Sequence, residues 1–139
     1  MSARTKSRKR AIEALYAADL RDALATELLE ETRLSVADRQ NQEEIFGYAQ
    51  ELVIGVLSHQ VEIDQRISAL SQNWAIDRMP ALDRAILRLA CFEILFGKDT
   101  PAEVAISEAV EIAGELSTEE SPSFINGVLA AILATRKAI

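Results

Sequence analysis

The sequence predicts an all-α fold of six or seven helices, and three observations carry that prediction. Alanine and leucine dominate a chain with only 5% aromatic residues, a mixture that favours helix over strand. Apolar residues recur at three- and four-residue intervals, and no stretch alternates polar and apolar side chains as a half-buried strand does. Two hydroxyl–proline pairs, Thr100-Pro101 and Ser121-Pro122, mark helix starts. At 139 residues the chain has the length of one domain, which buries roughly 68–70% of its unfolded surface without staples. Its 49% hydrophobic and 27% charged residues exclude a disordered chain.

Taken in order, the spacing predicts a first helix over residues 5–20, with Ala11, Ile12, Leu15, Tyr16 and Ala17 or Ala18 on its inner stripe. A short second helix covers residues 23–33 and turns Ala25, Leu28 and Leu29 inward, and polar residues over 34–42 form a connection. A long periodic stretch then runs from Ile45 through Ala49, Leu52, Val53, Val56, Leu57, Ile63, Ile67 and Leu70, with a break expected at 58–60 where polar residues are densest. Residues 71–79 connect, and Trp74 within them reads as a core plug. Met79 precedes a proline and should be extended, so a helix opens at about Pro80 and ends at Gly97 as its C′ residue. Leu82, Ile86, Leu89, Ala90, Ile94 and Phe96 make it apolar over most of its circumference, which predicts the central position.

The next start is the best marked. Thr100 is the expected N-cap, Pro101 the first helical residue and Glu103 the capping-box acid of a helix running through Val104, Ala105, Ile112 and Ala113 to Leu116. A last helix opens at Ser121-Pro122 and carries Phe124, Ile125, Val128, Leu129 and Ile132. With short connections and no internal repeat, residues 1–139 read as one helical domain.

Several function classes drop out. Cys91 is the lone cysteine and sits in an apolar run, so it reads as a small buried hydrophobe. No run approaches the ~18 apolar residues of a membrane span. The N-terminus lacks a signal peptide's apolar region, which predicts a cytoplasmic protein. His59 is the lone histidine, so no His-based zinc site or catalytic His pair can be built. Gly47, Gly55, Gly97, Gly114 and Gly127 are scattered and form no phosphate loop. The expectation is a protein without catalysis, metal or cofactor.

The formal net charge is −7, which read whole speaks against a nucleic-acid partner. It divides unevenly. Residues 1–10 carry Arg4, Lys6, Arg8, Lys9 and Arg10 and no acid, a local charge of +5 that leaves −12 on the remainder. Cations at the start of a helix oppose its macrodipole by roughly 0.3–1 kcal/mol each. A phosphate backbone turns that cost into binding through charge pairing and counterion release. The basic arm at 1–10 is therefore the foremost candidate site.

Two further segments stand out. Arg84 and Arg88 lie four apart on one helix face and need acidic partners, within the chain or on another molecule, while Asp83 occupies a first turn where an acid is favoured. In Ser121–Leu129, Asn126 and Gly127 lower the propensity of an otherwise apolar helix. Phe124 near its start is either core or a stacking platform for an unpaired base.

Three stretches in order, spanning about Arg8 to Ile132, resemble the NusB family of bacterial transcription antitermination factors. They are Arg8-Lys9-Arg10-Ala11-Ile12-Glu13-Ala14-Leu15-Tyr16; Asp83-Arg84-Ala85-Ile86-Leu87-Arg88-Leu89-Ala90 with Glu93-Ile94-Leu95; and Val104 to Ala113 leading into Phe124-Ile125-Asn126-Gly127-Val128-Leu129. The resemblance implies two small packed helical subdomains and a non-enzymatic role. That role is binding the boxA element of nascent, notably ribosomal, RNA together with NusE, a ribosomal protein, within a larger assembly of Nus factors and RNA polymerase. It implies RNA contacts at Arg4, Lys6, Arg8, Lys9, Arg10 and Phe124, and partner contacts at Asp83, Arg84, Arg88, Glu120 and Asn126.

This chain departs from the family's pattern at Ser107, where many relatives have Asn or Asp, at Gly114, where they have Lys, and at Ser123, where some are basic. The missing charge shifts the expected RNA affinity toward the N-terminal arm. A protein-binding scaffold for a basic ribosomal protein is the alternative the acidic body suggests, and a homodimer is the self-association the apolar helices allow. NusB-like domains also precede the catalytic part of certain ribosomal RNA cytosine methyltransferases. The end of this chain, at Lys137-Ala138-Ile139, is expected to leave no such part.

Overall fold

The computed structural model describes residues 2–36, 42–71 and 74–136, and among them there are seven helices and no strand. Part of the connection expected at 34–42 and the end at 137–139 lie outside the described residues.

Helix α1 (Ala3–Arg21) begins before the apolar stripe does, because the Ser2 hydroxyl accepts the Thr5 backbone N–H at 3.1 Å and caps it. The basic stretch is thus the opening of a helix, not a tail ahead of one. Asp22 ends α1 in the left-handed conformation, with φ 52°. Helices α2 (Ala25–Ser35) and α3 (Gln42–Ser58) complete a first group of three mutually packed helices. The expected break falls at His59, after which α4 (Gln60–Leu70) starts.

Helix α5 (Ala81–Phe96) is the central element and packs against α1, α3 and α4, and against α6 (Ala102–Leu116) and α7 (Ser121–Arg136). Ile86 and Leu87 on it are fully buried, and Ile12, Leu52, Val53, Ile63, Ile67, Ile112, Ile125, Leu129 and Ile132 close around them in one continuous core. Helices α4–α7 form the second group, and α5 joins it to the first through α1 and α3.

Two end signals act differently from the sequence expectation. Gly97 has φ −70° and ψ 142°, an extended conformation rather than the left-handed one. The glycine is needed there for space, since a Cβ would lie 2.5 Å from the Glu93 carbonyl oxygen. Thr100 does not cap α6; the N-cap is Pro101, without a side-chain hydrogen bond. The Thr100 hydroxyl instead lies 3.4 Å from both Arg8 Nη2 and the Tyr48 hydroxyl. A tertiary polar cluster has taken the local cap.

Candidate nucleic-acid interface

Helix α1 packs on α3 and α5 and reaches α6 through ion pairs, so its cations meet different neighbours. Successive residues of a helix point about 100° apart, and the five basic residues accordingly part company.

Arg8 turns inward and is 3% exposed. Its Nε and Nη2 donate to the two Glu93 carboxylate oxygens at 2.8 and 3.0 Å, and its Nη1 donates to Glu108 Oε1 at 2.7 Å. Thr5 donates to the same Glu108 oxygen at 2.5 Å, and the Tyr48 hydroxyl donates to Glu93 Oε2 at 2.8 Å. The expectation of an RNA contact at Arg8 is therefore corrected: its donors are committed to a buried pair. Arg8 lies on the stripe of Ala11, Ile12 and Leu15, the signal that could have revealed its direction. Burial works against its charge, but the hydrogen bond and charge of Glu93, with Tyr48 and Glu108, outweigh it and hold the guanidinium pKa above its ordinary value.

The other four cations stay at the surface or close to it. Lys9 pairs with Glu115 Oε2 of α6 at 2.6 Å. Arg10 lies 3.5 Å from Glu13 and 5.5 Å from the Phe46 ring centroid. The Arg4 guanidinium sits 3.6 Å over the centre of the Tyr48 ring. Lys6 is exposed and makes no ion pair among the described residues.

The expected partner-facing residues of α5 are also engaged internally. Asp83 is fully buried; it accepts the Ser117 hydroxyl at 2.5 Å and the Ser121 hydroxyl at 2.9 Å, tying the start of α5 to the α6–α7 turn. Its place on a partner surface is thus corrected, and the reason is again periodicity, because Asp83 shares a stripe with Ile86, Leu87 and Ala90. Arg84 donates to Asp19 Oδ2 at 2.7 Å and to the Ile76 carbonyl at 2.9 Å, and Arg88 grips Asp64 in bidentate fashion at 2.8 and 2.9 Å. The acids that these two arginines required lie within the chain.

At the start of α7, Phe124 is partly buried and meets Trp74 edge to face, with centroids 4.9 Å apart. Glu120, Ser123 and Asn126 are exposed, as are Ser107 and Gly114 of α6. A Cβ added to Gly114 would lie 3.7 Å from Pro122 Cγ, so the end of α6 touches the start of α7. Lys9 on Glu115 ties α1 to the end of α6, and Gly114 beside Pro122 ties the end of α6 to the start of α7. Of the surface cations, Lys9 faces α6, whereas Arg4 and Arg10 lie over Tyr48 and Phe46 of α3, and Asp83 is buried beneath the α6–α7 turn.

Sequence reasoning missed Tyr48, Glu93, Glu108 and Glu115, whose roles arise only from the packing of α1 on its neighbours. Among the described residues there is no cluster of side chains fit to hold a metal ion, and no helix is long and apolar enough to cross a membrane.

Comparison with known proteins agrees over almost the whole chain. A profile of the NusB family matches residues 5–134. The transcription antitermination protein NusB of Clavibacter michiganensis subsp. michiganensis is 50% identical over 137 residues, covering 98% of this chain and 99% of that protein. The protein of the same name from Kineococcus radiotolerans is 48% identical and covers 100% of this chain and 98% of its own length. In three dimensions the fold is similar to T. maritima NusB, with a TM-score of 0.84 at 32% identity over 98% of this chain and 97% of that one. A chain from the crystal structure of the antitermination factors NusB and NusE in complex with dsRNA gives a TM-score of 0.83 at 29% identity, over 97% of this chain and 98% of that one.

Proposed function

The chain belongs to the NusB family, and from that premise we propose that it is a transcription antitermination factor that binds the boxA element of nascent RNA together with the ribosomal protein NusE. The observation that carries the reading is the full-length match to proteins of that name. The similar fold of a chain solved with NusE and dsRNA supports it from the structural side. In this reading residues 1–139 act as one non-enzymatic, cytoplasmic adaptor, joined by other Nus factors and RNA polymerase in a larger assembly.

The cations on α1 supply the phosphate contacts, with Lys6 exposed and without an ion pair among the described residues, and Lys9 and Arg10 as half-buried side chains held by single carboxylates. Phe124, partly buried beside Trp74, is the stacking platform for an unpaired base in this reading. Glu120 and Asn126 remain the exposed residues for the partner protein, whereas Arg84 and Arg88 act by keeping α5 in place.

A scaffold that binds a basic ribosomal protein and touches RNA only incidentally is the second reading, favoured by the −12 body and by the internal pairing of Arg8. One titration separates the two: boxA RNA against scrambled RNA, with and without NusE, over a range of salt. Antitermination predicts a preference for boxA that NusE strengthens, and replacing Lys6 and Lys9 with Ala should lower the salt slope by about 1 per lost phosphate contact. Retained NusE binding with no preference for boxA would sink the RNA role.

A further inference from the structure

Arg4 differs from the other N-terminal cations in what lies beneath it. Its guanidinium carbon stands 3.6 Å from the centroid of the Tyr48 ring, at contact distance for a planar group laid over an aromatic face. Arg4 itself is exposed, so one side of its plane meets the ring and the other meets solvent. Among the described residues it makes no ion pair, and its donors are unspent.

The ring below is fixed from within. The Tyr48 hydroxyl donates to Glu93 at 2.8 Å, and Glu93 is held by two hydrogen bonds from buried Arg8. Arg8, Glu93, Tyr48 and Arg4 thus form a relay that begins in the core and ends at a surface guanidinium. A cavity of about 210 Å³ opens beside the stack between α1 and α3, lined by Arg4, Ser7, Tyr48, Glu44 and Glu51.

The two carboxylates decide what such a site accepts. Glu44 and Glu51 are both exposed beside the stack and offset the charge of Arg4 locally, which disfavours a phosphate there. A base carries no net charge, has a face for the guanidinium plane, and brings amino or imino donors to the carboxylates at its edge. We propose that Arg4 is a stacking platform for an unpaired RNA base and that Tyr48, anchored by the Arg8–Glu93 pair, is its positioning residue. The proposal rests on the RNA-binding reading above and adds to it a base contact distinct from the phosphate contacts of Lys6 and Lys9.

The test uses the full chain with NusE and a boxA oligonucleotide in which a fluorescent base analogue, quenched by stacking, is moved along the sequence. Arg4→Lys keeps the charge and removes the plane; it should weaken binding about tenfold, the size of a lost base stack. It should also abolish the quench at one position and leave the salt slope unchanged. Tyr48→Leu should reproduce these effects with helical content intact. Since Arg4 is exposed, Arg4→Lys tests the idea even if Tyr48→Leu fails to fold. An Arg4→Lys variant that binds and quenches like the parent overturns the stacking role while leaving the RNA-binding reading standing. Failure of the parent to bind RNA at any salt concentration overturns both.

Discussion

Arg8 and Lys9 are sequence neighbours with the same formal charge and opposite environments. Arg8 is 3% exposed and bound to two carboxylates, whereas Lys9 holds one surface carboxylate. Their chemistry follows from direction alone: a guanidinium's fork satisfies a buried carboxylate through two bonds, which an ammonium cannot do as well. Burial acts in a simpler way on Cys91, pushing its thiol from 9.0 up to about 12, and it also raises the Tyr48 hydroxyl above its usual 10.0. Both groups lose their protons first in the unfolded chain. Stability is therefore whole below about pH 9 and declines as pH rises toward the folded-state value, by about 4 kcal/mol over the interval for Cys91. Urea unfolding midpoints measured from about pH 8 to 11 should fall, and Cys91→Ala should flatten the first part of that fall. An equally steep fall in the variant would place the alkaline sensitivity elsewhere.

At the scale of the element, helix packing depends on where side chains are missing. Gly55 of α3 faces α5, and a Cβ there would lie 2.1 Å from Cζ of Phe92, whose ring belongs to a cluster with Phe96 and His59. Gly55→Ala should destabilise the fold by about 1–3 kcal/mol through overpacking. The same substitution made in a Phe92→Ala background should cost little, because the obstructing ring is gone. Equal thermal shifts in both backgrounds would contradict the close approach. This contact could not be read from the sequence, since the glycine lies in an uninterrupted helical pattern and its neighbour is far along the chain. The break at His59, the start of α5 after Pro80 and the start of α7 at Ser121 were all legible, because proline, hydroxyl and polar-run signals act locally. The cap at Thr100 was misread for the complementary reason: its hydroxyl was drawn to Arg8 and Tyr48 from other helices. Arg8 and Asp83 were legible in principle, since each lies on the apolar stripe of its own helix, but their charge argued more loudly than their position.

Over the whole molecule, the first three helices and the last four meet at α5, and the Arg8 cluster joins α1 and α3 to α5 and α6 at that junction. Arg8→Ala would leave Glu93 buried without its cation, which should cost about 3–5 kcal/mol in denaturant unfolding. A loss below about 1 kcal/mol would mean that water or rearrangement compensates the carboxylate. The division into a +5 start and a −12 remainder proves to be no division in space, because the acids of α5 and α6 reach back to the cations of α1. The pairing changes what RNA must displace. In the proposed RNA complex a phosphate at Lys9 would displace Glu115, and one at Arg10 Glu13, so each contact would replace an anion already in place. The ions whose release makes nucleic-acid binding sensitive to salt are those condensed on its phosphate backbone. The displaced carboxylate would stay tethered nearby with its charge, so a contact at Lys9 or Arg10 would contribute less affinity than one at Lys6, while the salt slope still counts the phosphates engaged.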